Sequence, residues 1–424
     1  MERMSVTPIN HPLHAIVQVP GSKSLTNRAL LVAALADGTT RLSNALFSDD
    51  SQYFAQALRT LGFVVHANPD QAEIIVTGLS GRIPSKKADL YIGNAGTAAR
   101  FLSAFLTLGS GEFTLDGDAR MRERPIGDLV SALLQLGAKI EPSASDCPPV
   151  KINASGLPGG KTTISGNISS QFLSALLMVA PYAQRPVEVC LSTELNSKPY
   201  VDMTLSVMSD FGVKVQRETY KSFLISPDSY HSPDVYAIEP DASAASYFFA
   251  APAILGGSVR IQNITRRSRQ GDIAFLDVLG KMGCFIAEGK DFVEVTGPDL
   301  LGGVDVDMSD IPDTAQTLAV IAPFAISPTR IRGIASARVK ETDRVHATCT
   351  ELMRLGVKVD EHNDGMTIYP CPSVQPASIR TYADHRMAMS FALIGLRAVG
   401  VIIEDPACVS KTFPNYFSVL ESLR

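Results

Sequence analysis

Lys23, Arg28, Arg100, Arg124, Lys340, Arg344, Arg386 and Lys411 all fall at turns that lead into, or lie beside, apolar helical segments. Arg forks bind phosphate and carboxylate through two parallel hydrogen bonds, while Lys acts as a point charge. The first of these turns reads Pro20-Gly21-Ser22-Lys23-Ser24-Leu25-Thr26-Asn27-Arg28, and Gly93-Asn94-Ala95-Gly96-Thr97-Ala98-Ala99-Arg100 repeats the design later in the chain. A third, Gly166-Asn167-Ile168-Ser169-Ser170-Gln171, offers hydroxyl and amide groups at another helix start. Backbone N–H groups at helix starts, with cations one turn away, make anion sites. Neither the Walker pattern nor Gly-x-Gly-x-x-Gly is present, so no mononucleotide loop or dinucleotide cofactor is indicated. The acid and base candidates are Asp313 at a helix start, Glu341 between Lys340 and Arg344, and His385 beside Arg386. Two carboxylates in different surroundings can divide the base and acid roles. Taken singly, Asp313 also reads as a helix cap and each charge run as a solvated face.

The elements that must position these groups repeat. An alanine-rich apolar segment closes in a turn at Gly38, Gly111, Arg185, Gly257, Pro328 and Gly400, and an amphipathic helix ends at Gly62, Gly137, Gly212, Gly283 and Gly356. Both series keep a period of about 72 residues, which predicts six copies of one unit of the form β-α-β-α-β-β. A sixth helix is expected over 413–423. Each of the five glycines follows a helix where a left-handed C-cap is needed. Six such units exceed one hydrophobic core, so two globules of three are expected, with ligands in the cleft between them.

The chain has 424 residues, a formal net charge of −5, 45% hydrophobic and 19% charged residues. Global disorder is excluded by that composition, and a dedicated nucleic-acid binder by the absence of a basic excess. Cys147, Cys190, Cys284, Cys349, Cys371 and Cys408 are scattered without metal-site spacing, which predicts buried thiols in a reducing compartment. No secretory pattern follows Met1, and the apolar runs are shorter than the ~20 residues that span a bilayer. The expected setting is cytoplasmic, with no membrane and no nucleic acid among the partners.

Taken together, the strings resemble the 5-enolpyruvylshikimate-3-phosphate (EPSP) synthase family. The residues that carry the resemblance are Pro20 to Ser24, Gly93 to Ala98, Arg122 to Ile126, Ser169 to Leu173, Ser197 to Tyr200, Val339 to Arg344, Asp384 to Ala388 and Ser410 to Pro414. The resemblance implies an α/β protein of two domains, each of three βαβαββ units, in the inside-out α/β barrel of the enolpyruvyl transferases, with the active site in the interdomain cleft. The expected domains are residues 1–20 plus 228–424, and 21–227. The implied reaction moves the enolpyruvyl group of phosphoenolpyruvate to the 5-hydroxyl of shikimate 3-phosphate and releases phosphate, without metal or organic cofactor. Shikimate 3-phosphate would be held by Lys23, Ser24, Arg28, Ser169, Ser170, Gln171, Ser197, Tyr200, Asp313, Ser336 and Lys340. Phosphoenolpyruvate would be held by Lys23, Gly96, Arg124, Gln171, Glu341, Arg344, Arg386 and Lys411. Asp313 is implied as base on the hydroxyl and Glu341 as proton donor and acceptor at the methylene carbon, with Lys23 and His385 completing the catalytic set. The implied enzyme is a monomer that closes around its ligands.

The chain departs from the family's common pattern at Ser336 and Ala337, where Asn and Trp are usual, and at Ala99 and Phe101, where the usual string is Met-Arg-Pro. Because glyphosate occupies the phosphoenolpyruvate site of this family, altered sensitivity is expected. The related UDP-N-acetylglucosamine enolpyruvyl transferases carry a reactive Cys in the loop that here reads Gly117 to Arg122, and none is present. A non-catalytic anion-binding homologue is the other alternative, against which Asp313 and Glu341 stand.

Overall fold

The structure, a computed structural model, describes residues 2–424. Its chain forms two compact units, an internal one over Gly21–Ile238 and a discontinuous one that joins the chain up to Pro20 to Glu239–Arg424. Residues 228–238, expected in the discontinuous unit, belong instead to the internal one, because the strand Val235–Ala237 pairs in parallel with Asp37–Ser43.

Each unit is built from three small sheets outside three buried helices. In the internal unit the sheets run Val235–Ala237, Asp37–Ser43, Glu73–Leu79, Val64–Asn68; then Lys87–Tyr91, Ser110–Asp116, Val150–Ser155, Ile140–Glu141; then Gly160–Ile164, Val187–Leu191, Ser222–Ile225, Gln216–Glu218. In every case the first pair is parallel and the others antiparallel. A parallel pair needs a crossover, and the buried helix supplies it in the second and third sheets. The discontinuous unit repeats the scheme with Leu13–Val17, Gly257–Gln262, Phe292–Thr296 and Phe285–Glu288, and again with Asp305–Asp307, Thr329–Arg332, Gly365–Ile368 and Val359–His362. The sixth sheet departs from the expected repeat. It has three strands, with Arg3–Ser5 set antiparallel on Val401–Glu404, which pairs in parallel with Ala377–Ile379.

Two leading strands are exchanged. Leu13–Val17 precedes the helix Lys23–Leu35 in the chain yet pairs with Gly257–Gln262. Val235–Ala237 precedes the helix Ala242–Leu255 yet pairs with Asp37–Ser43. Consecutive repeats are thus not spatial repeats at these two places.

The internal unit packs the helices Lys23–Leu35, Gly96–Leu106 and Ser170–Val179 together, and the discontinuous unit packs Ala242–Leu255, Ala315–Ile321 and His385–Gly395. Every residue of Gly96–Leu106, Ala315–Ile321 and His385–Gly395 is buried. A helix hydrophobic all round must lie inside a core, and small alanines let such helices approach closely. The five glycines of the amphipathic series take φ of 93°, 89°, 95°, 104° and 80°, the left-handed values that end a helix without Cβ strain. The expected helix over 413–423 is shorter, Tyr416–Glu421, and follows Pro414 and the 3-10 turn Pro406–Lys411. No described helix is long and apolar enough to cross a membrane.

Candidate active site

The chemistry-bearing residues cluster at the starts of the buried helices, in two groups that differ in charge. In the internal unit the three helix starts carry Ser22, Ala95 and Ser169 at the cap, with no acid in the first turn. None of these helices thus places an acid of its own first turn against its N–H groups and positive dipole end. Ser22 accepts from Leu25 N at 3.4 Å and Ser169 from Gln171 N at 3.3 Å. Lys23 is half-buried, with Nζ 3.7 Å from Asp50. Arg124, 3% exposed, donates to Asn94 Oδ1 at 2.8 Å and to the Asn94 carbonyl at 3.1 Å. Gly96 has no room for a side chain, since a Cβ there would lie 2.4 Å from Arg124 Nη2. Gln171 Nε2 reaches Thr97 Oγ1 at 3.4 Å, which ties the second and third helix starts together. Ser170 is buried, and Ser197 takes a left-handed φ of 57° at the start of the helix Lys198–Asp210, which carries Tyr200.

Arg28, expected to hold shikimate 3-phosphate, is 1% exposed and spends its donors inside the unit. It donates to Thr204 Oγ1 at 2.7 Å, the Ser24 carbonyl at 3.0 Å, the Tyr200 carbonyl at 3.1 Å and Ser174 Oγ at 3.4 Å. Burial lowers its pKa to about 10, so it stays charged at neutral pH. These bonds tie Ser24 to Tyr200.

The discontinuous unit has an ion network centred on Arg344, whose side chain is 4% exposed. Arg344 donates to Asp384 at 2.7 and 3.3 Å, to Glu341 Oε2 at 2.8 Å and to Asp313 Oδ1 at 3.1 Å. Arg386 donates to Asp313 Oδ2 at 2.6 Å and to the Tyr247 hydroxyl at 3.3 Å. Lys411 Nζ lies 3.8 Å from Glu341 Oε1. Burial works against the charge on Arg344, yet the carboxylates of Asp384, Glu341 and Asp313 outweigh it and hold the guanidinium firmly protonated. Asp241 and Asp384 cap two of this unit's buried helices, and Asp313 lies in the 3-10 turn Pro312–Thr314 that enters the third. Here the helix starts are neutralised by the chain's own acids, so attraction for an anion comes from Arg344, Arg386 and Lys411.

Ser336 is buried in the 3-10 turn Ala335–Val339, and Lys340 follows directly with half-buried surface. His385, expected in the catalytic set, lies inside the unit. Its ring is fully buried, with Nδ1 3.7 Å from Asp384 Oδ1. Its neighbour Asp384, 0% exposed, grips Arg344 and also accepts from Arg386 N at 2.9 Å. The signal for it in the sequence is its type and place, an Asp directly before an apolar helix. Asn94 and Tyr247 carried no such signal, since their partners Arg124 and Arg386 lie 30 and 139 residues away.

Three helices inside three sheets, twice over, with cations and carboxylates at the helix starts, define an α/β architecture that gathers charged groups at the ends of buried helices. Its overall likeness is to solved enolpyruvyl transferases. EPSP synthase from Acinetobacter baumannii has a TM-score of 0.83 at 25% identity, covering 99% of this chain and 98% of that one. The enolpyruvyl transferase NikO from Streptomyces tendae has a TM-score of 0.80 at 18% identity over 99% and 96%, a likeness of fold alone. Residues 7–420 match the sequence model of the family described as EPSP synthase (3-phosphoshikimate 1-carboxyvinyltransferase). A 3-phosphoshikimate 1-carboxyvinyltransferase of Trichormus variabilis is 52% identical over 419 residues, 99% of this chain and 98% of that protein. One of Sulfurovum sp. is 49% identical over 426 residues, 100% and 99%. The chain belongs to the EPSP synthase family.

Proposed function

We propose that this chain transfers the enolpyruvyl (1-carboxyvinyl) group of phosphoenolpyruvate to the 5-hydroxyl of shikimate 3-phosphate, giving 5-enolpyruvylshikimate 3-phosphate and inorganic phosphate. The observation that carries the reading is the family match over 7–420 combined with the Asp313–Arg344–Glu341–Lys411 network, which places two carboxylates around shared cations. Asp313 takes the hydroxyl proton as the oxygen attacks the enol carbon, and Glu341 delivers a proton to the methylene carbon. The resulting tetrahedral adduct loses phosphate as Glu341 recovers a proton from the new methyl group, and the proton on Asp313 leaves with the phosphate. Both carboxylates thus return to their starting states.

Lys23, Ser24, Arg28, Ser169, Ser170, Gln171, Ser197, Tyr200, Ser336 and Lys340 serve shikimate 3-phosphate together with Asp313. Lys23, Gly96, Arg124, Gln171, Arg344, Arg386 and Lys411 serve phosphoenolpyruvate. Arg344 and Arg386 are already paired with carboxylates, so an incoming anion has to exchange with Asp313 and Glu341 as partner. That exchange gives each carboxylate a changed charge environment at the moment it must move a proton. We place the protein in the cytoplasm as a monomer, in keeping with its unpaired cysteines and net charge. The test is phosphate release on incubation with both substrates. Release with shikimate 3-phosphate supports the reading, release only with UDP-N-acetylglucosamine as acceptor assigns the sister activity, and no release with either overturns it.

A further inference from the structure

The helix His385–Gly395, which delivers Asp384, His385 and Arg386, is entered through an unusual turn. Tyr382 and Ala383 both take left-handed backbone conformations, φ 55° and 52°, although neither is glycine. Such a conformation crowds the Cβ against the backbone and persists only where surrounding contacts over-determine it. One contact within the turn, Asp384 N to the Thr381 carbonyl at 2.9 Å, closes it locally.

Cys408 hydrogen-bonds to Thr381, and a further hold comes from Glu351, a carboxylate with 0% exposure on the helix Arg344–Arg354. Its Oε2 accepts from Arg380 N at 3.1 Å and its Oε1 from the Tyr382 hydroxyl at 2.8 Å. Arg354, one turn on, pairs with it at 3.3 Å. Burial and the bond to Glu351 raise the Tyr382 pKa to about 12, so the hydroxyl keeps the proton it donates. Glu351 lies seven positions after Arg344, two helical turns along the same face. One helix therefore grips the incoming turn at two points. Arg344 holds its end at Asp384 and Glu351 holds its entry at Arg380 and Tyr382, with Thr348 Oγ1 3.6 Å from Met387 Sδ between them.

We infer that Glu351 is a positioning residue for the reaction: by clamping the strained turn Arg380–Ala383 it fixes where Asp384 and Arg386 stand, and with them the cations that receive phosphoenolpyruvate. Glu351 itself is enclosed and touches no substrate. A buried acid paired only for stability would serve folding alike for both substrates, whereas a clamp on this turn acts on one of the two. The inference rests on the enolpyruvyl transfer proposed above, which the parent protein's phosphate release tests separately.

The experiment compares the parent, Glu351→Gln, Tyr382→Phe and Glu351→Gln with Ala383→Gly, by steady-state kinetics in each substrate and by thermal unfolding. Glu351→Gln keeps the volume but removes the charge, and a displaced Arg386 raises the KM for phosphoenolpyruvate by about tenfold to a hundredfold. The KM for shikimate 3-phosphate stays within about threefold. Tyr382→Phe removes one tie and shifts the same constant in the same direction by less. Ala383→Gly relieves the left-handed strain and recovers part of the loss in the Gln background. Unchanged KM for phosphoenolpyruvate in Glu351→Gln overturns the inference, as does a loss that falls equally on both substrates and tracks the folded fraction. If Glu351→Gln does not fold, Tyr382→Phe decides alone, and parental kinetics there overturn it.

Discussion

Lys23 is the residue on which both halves of the proposed chemistry lean. It opens a helix whose first turn carries no acid, and its Nζ lies 3.7 Å from Asp50, long enough for an anion to compete. Lys23→Ala is expected to abolish turnover in the phosphate-release assay, and retention of more than about a tenth of parental kcat/KM would count against its contact with both anions. Gly96→Ala is expected to push the Arg124 guanidinium aside, because the new methyl falls inside its van der Waals shell. The KM for phosphoenolpyruvate should then rise with the fold intact, and a parental KM would show that Arg124 holds no substrate. Cys408→Ser makes the opposite prediction. Burial first, then the Asp405 charge, push the Cys408 thiol up to about 12, so no thiolate exists at neutral pH to be missed, and turnover should be largely unchanged. At this scale the sequence was informative where residue type and helix start coincide, as for Lys23, Gly96, Asp313 and Arg386. It could not show the partners of Arg28, since Ser174, Tyr200 and Thr204 lie 146, 172 and 176 residues away and hold its guanidinium inside the unit. Asp384 is harder to read than His385, because imidazole chemistry is conspicuous whereas a cap is a matter of place.

Among the elements, the short turn Gly271–Ala274 holds a buried acid that the reaction does not use. The Asp272 carboxyl is pushed up to about 7, chiefly by burial and then by Asp313, with Arg386 and the Ser243 hydroxyl pulling back. An unfolded chain releases such a proton near pH 4. Between there and about pH 7 the folded state alone retains it, so this group's contribution to stability falls as pH rises through that window. Asp272→Asn removes this pH dependence, and the Tm of the variant relative to the parent should climb between about pH 4 and about pH 7. A difference that does not vary with pH would show that Asp272 ionises normally. The helix starts themselves were legible in part. Ser, Asp and Asn before apolar runs marked where helices begin, but the division into three open starts and three carboxylate-bearing ones emerges only when Asp241, Asp313 and Asp384 are seen as one set.

Across the whole molecule, a net charge of −5 coexists with cations gathered at helix starts. Raising ionic strength from about 0.01 M to about 1 M shortens the Debye length from about 30 Å to about 3 Å, so the KM for both anionic substrates should rise with salt. A salt-independent KM would mean that the net negative surface, and not the local clusters, governs capture. The repeat period was legible because a helix-ending glycine has one local reason to exist, and five of them keep step. Of the exchange of Leu13–Val17 with Val235–Ala237, the resemblance implied that residues 1–20 join the later part of the chain, but the place of Val235–Ala237 was not legible, since its partner is fixed by pairing far along the chain. That exchange also sets an order of events during synthesis. Every strand of the internal unit has been made once Ala237 has left the ribosome, whereas Leu13–Val17 has to wait for Gly257–Gln262 and Arg3–Ser5 for Val401–Glu404. The earliest residues of the chain are thus among the last to find their places, and until then they travel as unpaired strands with open edges, the form most exposed to wrong partners. Completion of the discontinuous unit is a joining of the two ends of the chain around a middle that is able to fold first.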